Sequence, residues 1–147
     1  MGVAISAASS IEQNISTRST IGVGSFSTVK RAVYIPSKAE LAVKVISIKA
    51  CTSRSGGLNV IDGELQTLKA VGSHPFLCNL HFAYHDNSNC YMVMDLLEGG
   101  DLRHHINHSL KFTEKGIAFI AACISSALNH IHSHGIIHRG KFSIVCF

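Results

Sequence analysis

The sequence predicts an α+β fold in which five strands form an antiparallel sheet around one helix, with two more helices following. Three observations carry this expectation. Apolar residues recur at every second position between Ile21 and Ile48, they recur at helical spacing from Asn59 to Ala70 and again from Thr113, and turn chemistry separates these runs. At 147 residues, 46% apolar and 15% charged, the chain is long enough for one ordinary domain with its own core.

Residues 1–17 read as a disordered leader rich in Ser and Ala. The strands then begin with Ile21 and Val23, continue through Val29, Ala32, Val33 and Ile35, and resume with Leu41, Val43, Val45 and Ile48. Gly22-Val23-Gly24-Ser25 joins the first two and Pro36-Ser37-Lys38 the next, which makes a meander. A Ser- and Gly-rich connector covers Cys51 to Gly57. Ile61, Leu65 and Leu68 share a helical face, and Gly63 costs that helix about 1 kcal/mol relative to Ala. Leu80 to Tyr84 and Cys90 to Leu96 read as two further strands around the turn Asp86-Asn87-Ser88-Asn89. Asp101 caps a short helix through Ile106, and Thr113 caps a longer one with the apolar stripe Ile117, Ile120, Ile124, Leu128 and Ile131.

Composition excludes several function classes. The formal charge of +4 comes from lysines and arginines scattered singly, so nucleic acid is not an expected partner. Five cysteines, an odd number with no C-x-x-C pair, point to reduced thiols in a cytoplasmic protein. The longest apolar run, Ile117 to Ile124, is eight residues where a bilayer span needs about 20, so the chain is expected to be soluble. Met1-Gly2-Val3-Ala4-Ile5-Ser6 fits the M-G-x-x-x-[ST] pattern for myristoylation of Gly2, and one acyl chain gives at most weak peripheral membrane association. Ten histidines raise the question of a metal, with His104 and His108 four apart and His130, His132 and His134 clustered. Without a cysteine or carboxylate to complete a tetrahedron, they read as solvated helix residues and no metal site is expected.

Two features carry chemistry. Ile21-Gly22-Val23-Gly24-Ser25-Phe26-Ser27-Thr28-Val29 is a glycine-rich loop between two strands, whereas a dinucleotide fingerprint would open a helix. Gly22 and Gly24 let the backbone approach triphosphate oxygens, and Phe26 at the tip can shield them from water; a bland glycine-rich hairpin fits this segment equally well on its own. Lys44 interrupts the apolar run Leu41-Ala42-Val43-Lys44-Val45, where an unpaired ammonium is costly to bury. Glu64 on the predicted helix is the expected partner, and such a pair would aim the ammonium at nucleotide phosphates.

These features, with His74-Pro75-Phe76-Leu77 and Tyr91-Met92-Val93-Met94-Asp95-Leu96-Leu97-Glu98-Gly99-Gly100-Asp101-Leu102, resemble the eukaryotic serine/threonine protein kinases of the AGC group. The stretch from Asp95 to Arg103 and the Gly2 pattern look most like the YANK kinases. The resemblance implies a kinase N-lobe and hinge over residues 18–97 and the start of a C-lobe over 98–139. It implies ATP as the cofactor, with magnesium in a complete member, and a protein substrate or partner kinase. Ile21, Gly22, Val23, Gly24, Ser25, Phe26 and Ser27 would then cover the nucleotide, with Ser27 at the place of a third glycine. Val29 and Ala42 would form the upper wall of the adenine pocket and Met94 its gatekeeper. The backbone of Asp95 and Leu97 would bond the adenine, Asp101 would meet the ribose or a basic substrate residue, and Leu68 and Leu80 would stack above His138.

The resemblance breaks after His138-Arg139. Gly140 stands where the family has its catalytic aspartate and Ile144 where it has a magnesium-binding asparagine, so residues 140–147 read as an aberrant tail. The chain also stops before a D-F-G carboxylate, and both magnesium ligands are missing. The expectation is a truncated, inactive kinase-family chain, with a non-catalytic pseudokinase or an interaction module that regulates another kinase as the alternative.

Overall fold

The alternating segments pair as the sequence predicts, and one more strand joins them. The computed structural model describes residues 5–7, 12–53, 57–100, 102–107 and 112–137. Its strands are β1 (Ile5–Ala7), β2 (Ile15–Val23), β3 (Ser27–Tyr34), β4 (Ala39–Ser47), β5 (Leu80–His85) and β6 (Asn89–Asp95). They form a single sheet in the spatial order β1-β5-β6-β4-β3-β2. The five predicted strands are antiparallel to their neighbours. The sixth, β1, runs parallel to β5 with Ile5 opposite Ala83.

The predicted leader therefore needs correction. Ile5–Ala7 supplies hydrogen bonds to the otherwise open edge of β5. At the opposite edge β2 starts at Ile15, six residues before the first apolar alternation, and the backbone NH of Ile35 donates to the carbonyl of Asn14 at 2.8 Å. Residues 16–21 of β2 are exposed, so this edge strand has no buried face to impose an apolar pattern. The predicted connector is also shorter at its start. α1 (Ile48–Thr52) follows β4 directly and buries Cys51. The Ser47 hydroxyl caps it by accepting from the NH of Ala50 at 3.3 Å. α2 (Gly57–Val71) contains the predicted helix and stops at Gly72, whose φ of 66° is left-handed.

Period two divides the sheet's side chains between two cores. On one face Ile46, Ala83, Cys90 and Met92 pack with Cys51 of α1 and with Ile61 and Leu65 of α2. On the other, Ala32, Leu41, Val43, Tyr84 and Val93 cluster with Ile15, Tyr34, Val45, Phe82 and Tyr91 around them. The Tyr84 and Tyr91 rings stack 4.6 Å apart and 8° from parallel. The β5–β6 turn is fixed by Asp86, whose Oδ1 accepts from the NH groups of Ser88 and Asn89, both at 2.6 Å. Those bonds, joined by one from the Tyr91 hydroxyl, hold the Asp86 carboxyl below its ordinary value.

Residues 1–72 and 79–96 make up one compact unit, and residues 73–78 and 97–147 a second. Residues 73–78 fall in the second unit, where His74 packs with that unit's long helix. Its ring stacks on His130 at 4.7 Å, and its Nε2 lies 3.3 Å from the Ser126 hydroxyl. The second unit contains α3 (Leu102–Asn107) and α4 (Glu114–Ser133). Thr113 caps α4 as predicted, its hydroxyl accepting from the NH of Gly116 at 3.1 Å. The buried line is Cys123, Ala127 and Ile131, whereas Ile117, at the head of the predicted stripe, is 56% exposed. Small residues at four-residue spacing allow close approach, and a pattern of large aliphatics misses them.

α4 bears on the expectation that no helix is long and apolar enough to span a bilayer. Its 20 residues, at a mean hydropathy of 1.2, are long and apolar enough to cross a membrane by length and composition. The uninterrupted-run criterion misses this because Gly116, Ser125 and Ser126 break up the apolar residues. A core helix passes the same test, but only 17% of this window is buried, through Cys123, Ala127 and Ile131.

Candidate functional site

The register of the meander gathers the predicted site residues onto one sheet face. Gly22 lies opposite Val29, Val29 opposite Lys44, and Lys44 opposite Met92. Two residues along, Ala42 faces Met94. Cross-strand partners share a face, so Val29, Lys44, Ala42 and Met94 all lie on the side where α2 packs. Ala42 is buried, while Val29 and Met94 are partly covered.

Lys44 meets Glu64 on that face. Its Nζ lies 2.5 Å from Glu64 Oε1, and the two side chains retain 21% and 15% exposure. The pairing has a sequence cause. Ile61, Leu65 and Leu68 anchor α2 on the sheet, which turns Glu64, one position before the fully buried Leu65, towards β4. Each charge removes the penalty the other would incur when partly desolvated. The acidic surroundings also reach Cys90, whose thiol is pushed up by burial first and then by the charges of Glu64 and Cys51.

The β2–β3 loop closes as a tight turn, in which the Gly24 NH donates to the Ser27 carbonyl at 2.7 Å. A Cβ on Gly24 would sit 3.0 Å from Ser27 Oγ, so the turn favours glycine. Ile21 and Val23 are exposed at 48% and 80%, leaving the apolar residues of β2 uncovered beside Gly22. Phe26, at the tip of this loop, is partly buried. It packs against the cluster of Ile46, Leu65 and Met92, and its carbonyl accepts from the Ser47 NH at 3.1 Å. Leu68 and Leu80 pack on the same cluster.

At the end of β6, Asp95 makes contacts that alternation alone did not reveal. Its Oδ2 accepts from both the backbone NH and the side-chain amide of Asn79, at 2.9 and 2.7 Å. Its Oδ1 lies 2.7 Å from His81 Nε2. The signal in the sequence is a break in period: Leu80 packs on the α2 face and Phe82, two residues on, packs on the other. Leu97 belongs to the second unit and is exposed. Gly2, Asp101, His138, Arg139, Gly140 and Ile144 lie outside the described residues. Among the described residues, no group of three or more His, Cys, Asp or Glu is placed to hold a metal ion.

The protein kinase domain profile matches residues 15–140, a span that takes in the glycine-rich loop, Lys44, Glu64 and Met94-Asp95. The chain belongs to the protein kinase family. A probable serine/threonine-protein kinase of Dictyostelium discoideum is 32% identical over 126 residues, which is 86% of this kinase-family chain and 27% of that protein. Human serine/threonine-protein kinase 32B is 36% identical over 119 residues, covering 81% of this chain and 28% of its own length. Rat ribosomal protein S6 kinase alpha-1, 35% identical over 122 residues, is covered over 16% of its length. The chain thus spans about a quarter or less of these curated relatives. Among solved structures, that of Rad53 residues 1–466 in complex with AMP-PNP superposes with a TM-score of 0.82 at 32% identity, over 89% of this chain and 34% of that one. The kinase family accounts for residues 15–17 as well, which the sequence had assigned to the leader.

Proposed function

We propose that this chain is an ATP-binding domain of the serine/threonine protein kinase family, of AGC type and closest in motif to the YANK kinases, that does not itself transfer phosphate. The observation that carries the reading is the 2.5 Å Lys44–Glu64 pair, which fixes an ammonium on the same sheet face as Val29, Ala42 and Met94. In this reading the β2–β3 loop covers the phosphates, Lys44 holds them, and the backbone of Asp95 and Leu97 meets the adenine. The AMP-PNP complex of the Rad53 relative supports it. Magnesium would come in with the nucleotide. The missing activity follows from Gly140, since glycine neither orients nor accepts a proton from a substrate hydroxyl, a contribution typically worth about 10²- to 10⁴-fold. The chain is assigned to the cytoplasm, with Gly2 as an acylation site adding weak membrane association.

The test is thermal stability with and without Mg-ATP for the wild type and Lys44→Ala. A ligand at about 100 times its dissociation constant stabilises by about 2.7 kcal/mol, a shift of several degrees for a domain of this size. The wild type should show that shift and Lys44→Ala should lose most of it. An unmoved wild-type transition at millimolar Mg-ATP would sink the reading. A second reading, a module that binds and regulates another kinase, is favoured by Ile117 and Phe119 on α4, exposed at 56% and 65%. It expects co-purification with a defined kinase that is lost in Phe119→Lys.

A further inference from the structure

A β-bulge beside the gatekeeper position re-aims one histidine. Along β5 and β6 the partners are Tyr84 with Tyr91, Ala83 with Met92 and Phe82 with Val93, and the next pair is Leu80 with Met94. His81 is therefore the extra residue, unpaired in the ladder. A bulge bends its strand and turns a side chain away from the regular alternation. Here the His81 ring reaches the carboxylate of Asp95, with Nε2 2.7 Å from Oδ1.

The rest of Asp95 is held by the residue two before His81. Asn79 donates both its backbone NH and its side-chain amide to Oδ2, and the Asp95 NH donates back to the Asn79 carbonyl at 3.1 Å. Four contacts thus tie one residue to the stretch Asn79–His81. All lie within the first compact unit, at the point where β6 ends and the chain leaves the sheet. The His81 and Asp95 side chains are 41% and 30% exposed, and a contact that wet is a weak source of stability. What four directional contacts do supply is position.

We propose that Asp95, clamped by Asn79 and the bulged His81, is a positioning residue that fixes its own peptide carbonyl for the exocyclic amino group of adenine, and so sets a preference for 6-amino over 6-oxo purine nucleotides. This rests on the ATP-binding reading above. With the clamp intact, the carbonyl accepts from the amino group of ATP and meets the 6-oxo group of ITP as a second acceptor, which repels it. With the clamp released, the carbonyl is no longer held in register, and the discrimination shrinks.

The experiment measures dissociation constants of Mg-ATP and Mg-ITP for the wild type, Asp95→Ala, His81→Ala and the donor-retaining His81→Gln. The wild type should bind ATP more tightly than ITP. One hydrogen bond is worth roughly 2- to 12-fold in affinity, so Asp95→Ala and His81→Ala should lose ATP affinity within that range. Their ITP affinity should change by less than about twofold, and His81→Gln should recover the preference. Exposure of His81 keeps the test valid if Asp95→Ala does not fold. Equal losses for ATP and ITP would mean a merely structural role and overturn the proposal, as would an unchanged ratio in both Ala variants. A wild type that binds neither nucleotide overturns the ATP-binding reading itself, and this inference with it.

Discussion

Lys44 and Glu64 are each the reason the other can be partly buried. Replacing Glu64 with Ala leaves a half-desolvated ammonium beside Ala42, Cys90 and Met92, and should lower stability by about 1–3 kcal/mol in urea unfolding. Lys44→Met combined with Glu64→Leu should recover most of that loss, because it removes both charges together. Tyr84 provides a pH test on the opposite face. Burial, then the charges of Tyr91, Glu12 and Asp86, push its hydroxyl from 10.0 up to about 12. The folded state thus favours the neutral phenol. Its contribution is complete below pH 10 and lost as the pH rises from 10 towards 12. Alkaline unfolding followed by circular dichroism should become shallower in that window in Tyr84→Phe. At this scale the sequence disclosed Lys44 and Glu64, because a charge inside an apolar strand demands a partner. It did not disclose the Asp95 clamp or the resting place of Phe26, since both depend on how a bulge and a turn aim side chains, which periodicity does not encode.

Among the elements, α2 carries a removable weakness. Gly63 lies in its interior, and a Cβ built there meets nothing within 4 Å. Gly63→Ala should therefore raise stability by about 0.5–1 kcal/mol in chemical denaturation, while the neighbouring Lys44–Glu64 contact is kept. In α4, Ile117→Lys and Phe119→Lys replace exposed apolar surface and should raise the soluble yield with little change in the unfolding midpoint; a large fall in that midpoint would mean these residues are packed against protein. The inner strands were legible because their side chains alternate between the two cores, and β2 showed only at its end, through Ile21 and Val23. The start of β2 was hidden by its solvated polar residues, and β1 by its length, as three residues carry no period. Of the apolar stripe expected on α4, Ile131 is buried and Ile117 exposed, while the small Cys123 and Ala127 that complete the buried line carry no signal in a pattern of large aliphatics.

On the scale of the molecule, the α+β class and the kinase fold were both readable from sequence, since the glycine loop, Lys44, Glu64 and Met94-Asp95 appear in an order that the sheet then brings together. The division into two units was less so. His74-Pro75-Phe76-Leu77 sits between α2 and β5 in the chain yet packs with the second unit through His130 and Ser126, a contact more than fifty residues away in sequence. The sheet itself also sets an order of events. The β2-β3-β4 meander closes with local turns, whereas β1 can pair only after β5 exists, nearly eighty residues later in the chain. During synthesis at about 5–20 residues per second, Ile5–Ala7 would wait several seconds for its partner. Docking of β1 on β5 therefore closes a far longer loop than the meander turns do, and it should appear as a late, separable phase in refolding followed by hydrogen exchange.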